Sequence, residues 1–483
     1  MQKNSSYINA VSFAVFTISF IALYYLSPSL FHYPDVSWHI LAGEHITTNG
    51  EIPEFNIWSA EENPDPWFNI SWLFDVFLSH ISSIFGIEAL VIIKSALNAT
   101  ILTLVFCNCY KRSVSLESAI LATFLVSLVF SISAPIRPQL ITFLMIAIFH
   151  HILHKNHSLD EPPKLLLSLP ILTILWANCH GGFLVGIIMI GAYGIDTIKN
   201  KNRKYFFTLL FTGILCVGAI FLTPVGFGII EGSLKTMSSG AKQVIGEWQP
   251  VNLVDDAPQF LFVLILVLST NIKIKNATIA DKILTFFWLF MGLSAYRHFP
   301  IFAILAAPYL ATCINSFDHE KNDKLISMVN NKKNTKLAFV ISFVILTAFV
   351  TLSYSILNKK NIMDINPVFV DNGIKEASEY IIKNYPDKKI YNSYSLGGQI
   401  LYFSKGKIKV FVDGRANTAY NDDIIKSFMT LDQGLPGWEK EISKYNFDLI
   451  IANSNERIIQ LIKLKGGWEQ VYNEKGIIIM IKK

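Results

Sequence analysis

Apolar runs of bilayer-crossing length recur along this chain, and they limit its fold more than any other feature. Eleven cores stand out, at residues 8–26, 87–106, 119–132, 140–153, 165–177, 183–198, 205–222, 257–272, 283–296, 301–314 and 337–357. A helix needs about 20 residues to cross the hydrocarbon layer, which the shorter cores reach through their flanks. Of 483 residues only 16% are charged and 52% are hydrophobic, whereas soluble domains carry about 25% charged residues. The expected fold class is therefore a polytopic α-helical membrane protein with about eleven transmembrane helices. The first core follows a single Lys3 and lacks a small-residue cleavage site, so it reads as a retained anchor. Residues 71–85, interrupted by Asp75 and His80, read as an amphipathic helix lying along the interface.

Lys and Arg placement sets the expected orientation. With the N-terminus inside, the inner segments hold seventeen Lys and Arg, while the outer loops before the C-terminal region hold only Arg137, Lys235, Lys242 and Arg297. The long first loop, residues 31–86, then lies outside, and an odd number of spans places the C-terminus outside too. The net charge of +5 is distributed between apolar spans and is not a nucleic-acid footprint. The five cysteines all fall in or at the ends of apolar spans, so no disulfide framework is expected.

Near residue 364 the composition changes. Residues 371–385 read as an amphipathic helix. Short β-like runs at 389–392, 409–413, 449–452 and 477–481 alternate with helical candidates at 424–431, 438–445 and 456–464. Strands alternating with helices predict a small soluble α/β domain. The expected organisation is a transmembrane domain over 1–360, carrying the first loop, and a C-terminal α/β domain over 364–483 outside the cytoplasm.

This topology collects unusual polar residues on one membrane face, where charge is costly to place and often functional. Asp35 follows the first span. Arg137 lies in Ala134-Pro135-Ile136-Arg137-Pro138, and His180 in Trp176-Ala177-Asn178-Cys179-His180-Gly181-Gly182. Glu247 lies in Gly246-Glu247-Trp248-Gln249-Pro250, and Arg297 and His298 in Tyr296-Arg297-His298-Phe299-Pro300. The inner loops carry Lys, Asn and Asp that read as solvated. Each outer residue also has a plain reading. Asp35 suits a helix N-cap, the arginines can snorkel to headgroups, His180 suits a hydrogen-bonded turn and Glu247 a solvated loop. Together, a carboxylate, two Arg and two His suit a phosphate-bearing lipid and a proton transfer. The first loop adds eight acids, Glu44 among them, with no Lys or Arg, and Trp38, Trp58, Trp67 and Trp72. Its acids can bind sugar hydroxyls. Its tryptophans suit either interfacial anchoring or the flat face of a sugar, Trp38 included.

The stretch Asp35-Val36-Ser37-Trp38-His39, with Gly43-Glu44-His45-Ile46, Gly50-Glu51-Ile52-Pro53, Ser71-Trp72-Leu73 and Phe85-Gly86, resembles the first loop of polyprenyl-phosphate-dependent GT-C glycosyltransferases. These include the protein mannosyltransferase-like and aminoarabinose transferase-like enzymes of bacterial membranes. Gly397-Gly398-x-Ile400-Leu401 and Val412-Asp413-Gly414-Arg415 extend the likeness into the C-terminal region. The resemblance implies a multi-pass protein of the cytoplasmic (inner) membrane with a cytoplasmic N-terminus and a periplasmic C-terminal domain. It implies that Asp35 is the catalytic base, and that the substrates are a polyprenyl-phosphate sugar and a lipid, glycan or protein acceptor. Arg137 and Arg297 would then meet lipid phosphate by charge-assisted hydrogen bonds, with His180, Glu247, His298, Trp38 and Glu44 lining the site. The chain departs from the family pattern at the acidic pair, which is Asp35-Val36 here, and its first loop has no Asp-x-Asp motif. No metal or other cofactor is expected. Asp413-Gly414-Arg415 suits either a turn with an internal ion pair or an acceptor contact. A polymerase or ligase of lipid-linked glycans, a lipid or glycan transporter, and a non-catalytic assembly protein remain as alternatives.

Overall fold

The computed structural model describes residues 2–26, 35–61, 64–132, 135–154, 162, 164–238, 246–252, 259, 261–263, 265–266, 278–325 and 373–483. They fall into two compact units. One comprises Met1–Pro28, Val91–Leu222 and Glu247–Pro367, and the other Ser29–Leu90, Thr223–Gly246 and Val368–Lys483.

The first unit is helical. Its helices Gln2–Leu26, Ala89–Ser113, Leu116–Ile132, Gln139–His154, Leu169–Cys179, Leu184–Lys199, Arg203–Ile220, Ile279–Ser294 and Phe299–Leu325 coincide with nine of the expected spans. The expected span at 337–357 lies outside the described residues, as does most of the one at 257–272. Among the described residues, five stretches are long and apolar enough to cross a membrane: Tyr7–Tyr24, Ala89–Ser113, Gly181–Lys199, Arg203–Ile220 and Tyr296–Asn315. Their burial separates core from periphery. Within Tyr296–Asn315, 78% is buried, against 33% of Arg203–Ile220. The buried helix owes its place to Ala303, Ala306, Ala307 and Ala311, all inaccessible, since small residues let helix backbones approach closely. It packs on Leu116–Ile132 and Ile279–Ser294. The peripheral helix instead turns Phe207, Phe211 and Ile214 outward along one face, a cost in water but not in lipid.

Polar ties join the helix ends of this unit. Arg112 pairs with Asp281, which also closes a capping box with Thr278. Asp196 accepts from the Ile279 backbone N–H at 2.8 Å. Asn108 donates to the Ala147 carbonyl and Asn315 to that of Ser113, both at 3.0 Å. Asp281 is thus a buried structural group rather than a solvated acid of an inner loop, and Asp196, within the expected span 183–198, is buried as well. Their spacing from a partner far along the chain hides this in the sequence.

The second unit holds a four-stranded sheet of order β1-β2-β4-β3, with β1 Ile390–Asn392, β2 Leu449–Asn453, β3 Trp468–Glu474 and β4 Ile477–Lys482. Strand β1 runs parallel to β2, and β4 antiparallel to both β2 and β3. Both faces of β1 and most of β2 are buried, which explains their continuous apolar runs. The helices Ile374–Asn384, Asp422–Asp432, Trp438–Tyr445 and Arg457–Lys465 lie where amphipathic periodicity places them. The expected strand at 409–413 is not one. Its backbone bonds go elsewhere: Val410 donates to the Trp58 carbonyl at 3.0 Å and receives Ala60 N–H at 2.8 Å, while the Asn392 amide side chain bridges Phe411 N–H and the Val412 carbonyl at 2.8 Å each. A buried apolar run satisfied by a loop and a side chain looks the same in sequence as a strand. The helix Tyr394–Phe403 escapes notice because Gly397 and Gly398 lower helix propensity. Gly397 is needed for space, since a Cβ there would stand 2.3 Å from the Val412 carbonyl oxygen.

The first loop belongs to this unit. Its helices Asp35–Asn49 and Trp72–Phe85 cross where Gly43 meets the Asp75 carbonyl, and a Cβ at 43 would lie 2.0 Å from that oxygen. Between them Trp58 and Trp67 pack edge-on at 5.6 Å. The loop's acids find partners within the unit. Glu61 pairs with Lys389 at 3.1 Å, and Asp65 accepts from the Asn421 backbone and side chain at 3.0 and 3.1 Å.

Candidate functional site

Two groups of expected site residues emerge, one in each unit. In the helical unit, Arg137 and Arg297 meet on Glu247. Arg137 Nη1 donates to Glu247 Oε2 at 2.7 Å, and Arg297 Nη1 lies 3.8 Å from Oε1. The segments carrying Glu247 and Arg297 are tied by backbone bonds from Tyr296 N–H to the Gln249 carbonyl at 2.9 Å and from Val251 N–H to that of Leu293 at 3.2 Å. The Arg297 guanidinium lies 4.0 Å from the Trp248 ring centre, within cation–π range, and His298 packs edge-on against Trp248 and Trp288 at 6.3 Å each. Burial alone would raise the Glu247 carboxyl, but Arg137 and Arg297 outweigh it and hold it below the ordinary carboxylate range. Two guanidiniums thus share one carboxylate.

His180 in the same unit ends the helix Leu169–Cys179 and caps the turn Gly181–Phe183. Its Nδ1 accepts from Gly182 N–H at 3.1 Å and lies 2.7 Å from Thr142 Oγ1, which accepts from Trp176 Nε1 at 2.8 Å. An Nδ1 that accepts a backbone N–H leaves the ring proton on Nε2. The rest of this motif is packing. A Cβ at Gly182 would stand 2.3 Å from Thr142 Oγ1, and Asn178 donates to the Leu222 carbonyl at 2.9 Å.

In the second unit, Asp35 opens the helix Asp35–Asn49. Trp38 Nε1 donates to Asp35 Oδ1 at 3.4 Å. The Trp38 ring is 7% exposed and stacks on His39 with centres 3.6 Å apart. His39 Nδ1 lies 2.5 Å from Asp75 Oδ1, and Asn69 donates to the other Asp75 oxygen at 2.8 Å. Glu44 is exposed on the same helix. The inaccessible His39–Asp75 pair was not among the expected site residues. Its only trace in the sequence is Asp75 interrupting an amphipathic helix.

Beside Asp35 lies the turn Asp413-Gly414-Arg415. It holds an internal ion pair, with Arg415 Nη2 2.5 Å from Asp413 Oδ2 and Arg415 Nε 2.9 Å from Oδ1. Tyr420 OH donates to Asp413 Oδ2 at 2.9 Å. The guanidinium sits 4.9 Å from the Trp67 ring centre and 5.2 Å from that of Trp58. Burial works against the Arg415 charge, but Asp413 outweighs it and holds the guanidinium above its ordinary value. Among the described residues no group of three or more His, Cys, Asp or Glu is placed to hold a metal ion.

No family model and no curated protein matches the chain by sequence. In three dimensions its fold, largely helical with a small C-terminal sheet, is similar to that of solved polytopic GT-C enzymes. One similar structure is the archaeal oligosaccharyltransferase AglB from Archaeoglobus fulgidus, in complex with an inhibitory peptide and a dolichol-phosphate, at 12% identity and TM-score 0.59, with 92% of this chain and 69% of that chain covered. A second is the ArnT of Cupriavidus metallidurans bound to undecaprenyl phosphate, at 11% identity and TM-score 0.51, with 99% of this chain and 98% of that chain covered. The same enzyme in the apo state gives 10% identity and TM-score 0.54 over the same shares. At these identities the likeness establishes the fold, and at that level the resemblance read from the first-loop motifs is borne out.

Proposed function

We propose that this protein is a glycosyltransferase that moves a sugar from a polyprenyl-phosphate donor to a lipid, glycan or protein acceptor. The reaction takes place on the outer face of a bacterial cytoplasmic membrane, with the N-terminus cytoplasmic and the C-terminal segment outside. Asp35 is the base that takes the acceptor proton. Arg137 and Arg297 bind the lipid phosphate and stabilise the charge that grows on it as the glycosidic bond breaks. His180, Glu247 and His298 serve with the arginines within the helical unit, and Trp38 and Glu44 with Asp35 within the second. No metal takes part in this reading.

The observation that carries it is the Arg137–Glu247–Arg297 cluster. Two guanidiniums gathered at one carboxylate bring together the charge-assisted donors that suit an anionic phosphate. The neighbours' complexes add support, since AglB is solved with a dolichol-phosphate and ArnT with undecaprenyl phosphate. The test is a comparison of lipid-linked sugars in cells with and without the protein. Loss of the protein should cause one polyprenyl-phosphate sugar to accumulate and one surface glycan to lose the same sugar. Identical lipid-linked sugars and glycans in both strains would exclude the transferase.

A further inference from the structure

We propose that the Asp413-Gly414-Arg415 turn is the seat of the Asp35 carboxylate, so that the C-terminal segment supplies a positioning device for the base. The proposal rests on Asp35 being that base. Gly414 is not among the glycines with left-handed backbone, so the position uses the room a glycine leaves rather than its conformational freedom. A Cβ at 414 would stand 1.8 Å from Asp35 Oδ1, 2.9 Å from Asp35 Cγ and 3.2 Å from Trp38 Nε1. The Asp35 side chain occupies the space that any other residue at 414 would fill.

The wall behind it is rigid. Asp413 and Arg415 are 0% and 2% exposed, and Arg415 bonds Asp413 through its backbone N–H at 2.9 Å as well as through its guanidinium. Arg415 Nη2 also donates to Tyr420 OH at 3.1 Å, and Trp58 and Trp67 flank the guanidinium. A buried pair stabilises little by itself, but here the Arg415 backbone N–H and Tyr420 OH also bond Asp413 and hold the turn's shape. The opposite wall is the Trp38 indole, which holds Asp35 through its N–H and is itself stacked on His39, anchored by Asp75 and Asn69. The base is therefore held between an indole from the first loop and a backbone turn from residues 413–415. Neither wall supplies a reacting group. Asp413, Gly414 and Arg415 are positioning residues.

Contacts to a Cβ do not fall below 3.0 Å, so alanine at 414 must displace the Asp35 carboxylate by more than 1 Å or open the turn. A misplacement of that size costs about 100-fold in rate. The experiment uses the full chain in detergent micelles, with the membrane extract of a strain lacking the protein supplying both the polyprenyl-phosphate donor and the unmodified acceptor. Gly414→Ala should lower kcat about 100-fold at unchanged donor KM, and should cost nothing further when added to Asp35→Asn. It should also move the Trp38 indole N–H resonance, assigned by its loss in Trp38→Phe. A wild-type rate and an unmoved resonance in folded Gly414→Ala would overturn the seat. If Asp35→Asn is inactive in the same assay, the base assignment survives that result. Full activity of Asp35→Asn sinks the base assignment alone, and the resonance then decides the seat. If Gly414→Ala does not fold, Asp35→Ala/Gly414→Ala should fold, because the shorter side chain clears the space. Failure of that pair to fold overturns the proposal.

Discussion

Each unit of this protein contains an arginine cluster, and the two are built on opposite principles. In the second unit Arg415 pairs with Asp413 and bonds Tyr420, and it lies against Trp58 and Trp67 at 2% exposure. Its charge is balanced one to one inside the protein. In the helical unit Arg137 and Arg297 divide one carboxylate, at 2.7 and 3.8 Å, and keep 19% and 18% side-chain exposure. The first arrangement builds a turn. The second gathers two cations at one partly accessible carboxylate. Arginine beside a carboxylate is thus not one signal but two, separated by access.

The largest expected effect breaks the first arrangement. Arg415→Met strands Asp413 as a buried, unpaired charge and should destabilise its unit by about 3–5 kcal/mol. Denaturant unfolding of the full chain, followed by the fluorescence of the neighbouring tryptophans, checks this. A loss below about 1 kcal/mol would mean that the pair is not structural. In the second arrangement two substitutions should pull in opposite directions. Arg137→Gln removes a charge-assisted bond and should weaken binding of undecaprenyl phosphate about tenfold, while Glu247→Gln removes a carboxylate that competes with the phosphate and should tighten it. Calorimetric titration in micelles reads both. The same sign for both substitutions would end the comparison.

The smallest effect is in pH. Glu247 is held below its ordinary value of 4.5. A depressed carboxylate contributes stability that is present above the unfolded-state value and is lost as pH falls through the folded one. The Arg137–Glu247 tie should therefore persist at neutral pH and fail only below about 4.5, and Glu247→Gln should flatten that acid limb of the melting curve.

These contrasts also mark what was legible in the sequence. Spans were readable because a bilayer imposes a length and composition on each one, so Ala89–Ser113 and Phe299–Leu325 lie where hydropathy puts them. The helices Trp438–Tyr445 and Arg457–Lys465 were readable from periodicity in the same way. Arg137, Glu247 and Arg297 could be singled out because charge is rare at span ends, although the sequence did not show that they share one carboxylate. The partners of Asp35 could not be read. Gly414 meets Asp35 across more than 370 residues of chain, and His39 meets Asp75 across 36, neither of which leaves a local period. The run 409–413 misled because burial, not pairing, makes it apolar.

The central claim is that Asp35 is the base of a transfer from a polyprenyl-phosphate sugar. It is tested most directly by the purified full chain with the membrane extract of a strain lacking it supplying donor and acceptor, comparing wild type with Asp35→Asn. A positioned general base is worth about 10²–10⁴ in rate. The account predicts a loss of that size in the Asp35→Asn protein, with its melting temperature unchanged. Transfer at the wild-type rate by folded Asp35→Asn would contradict it.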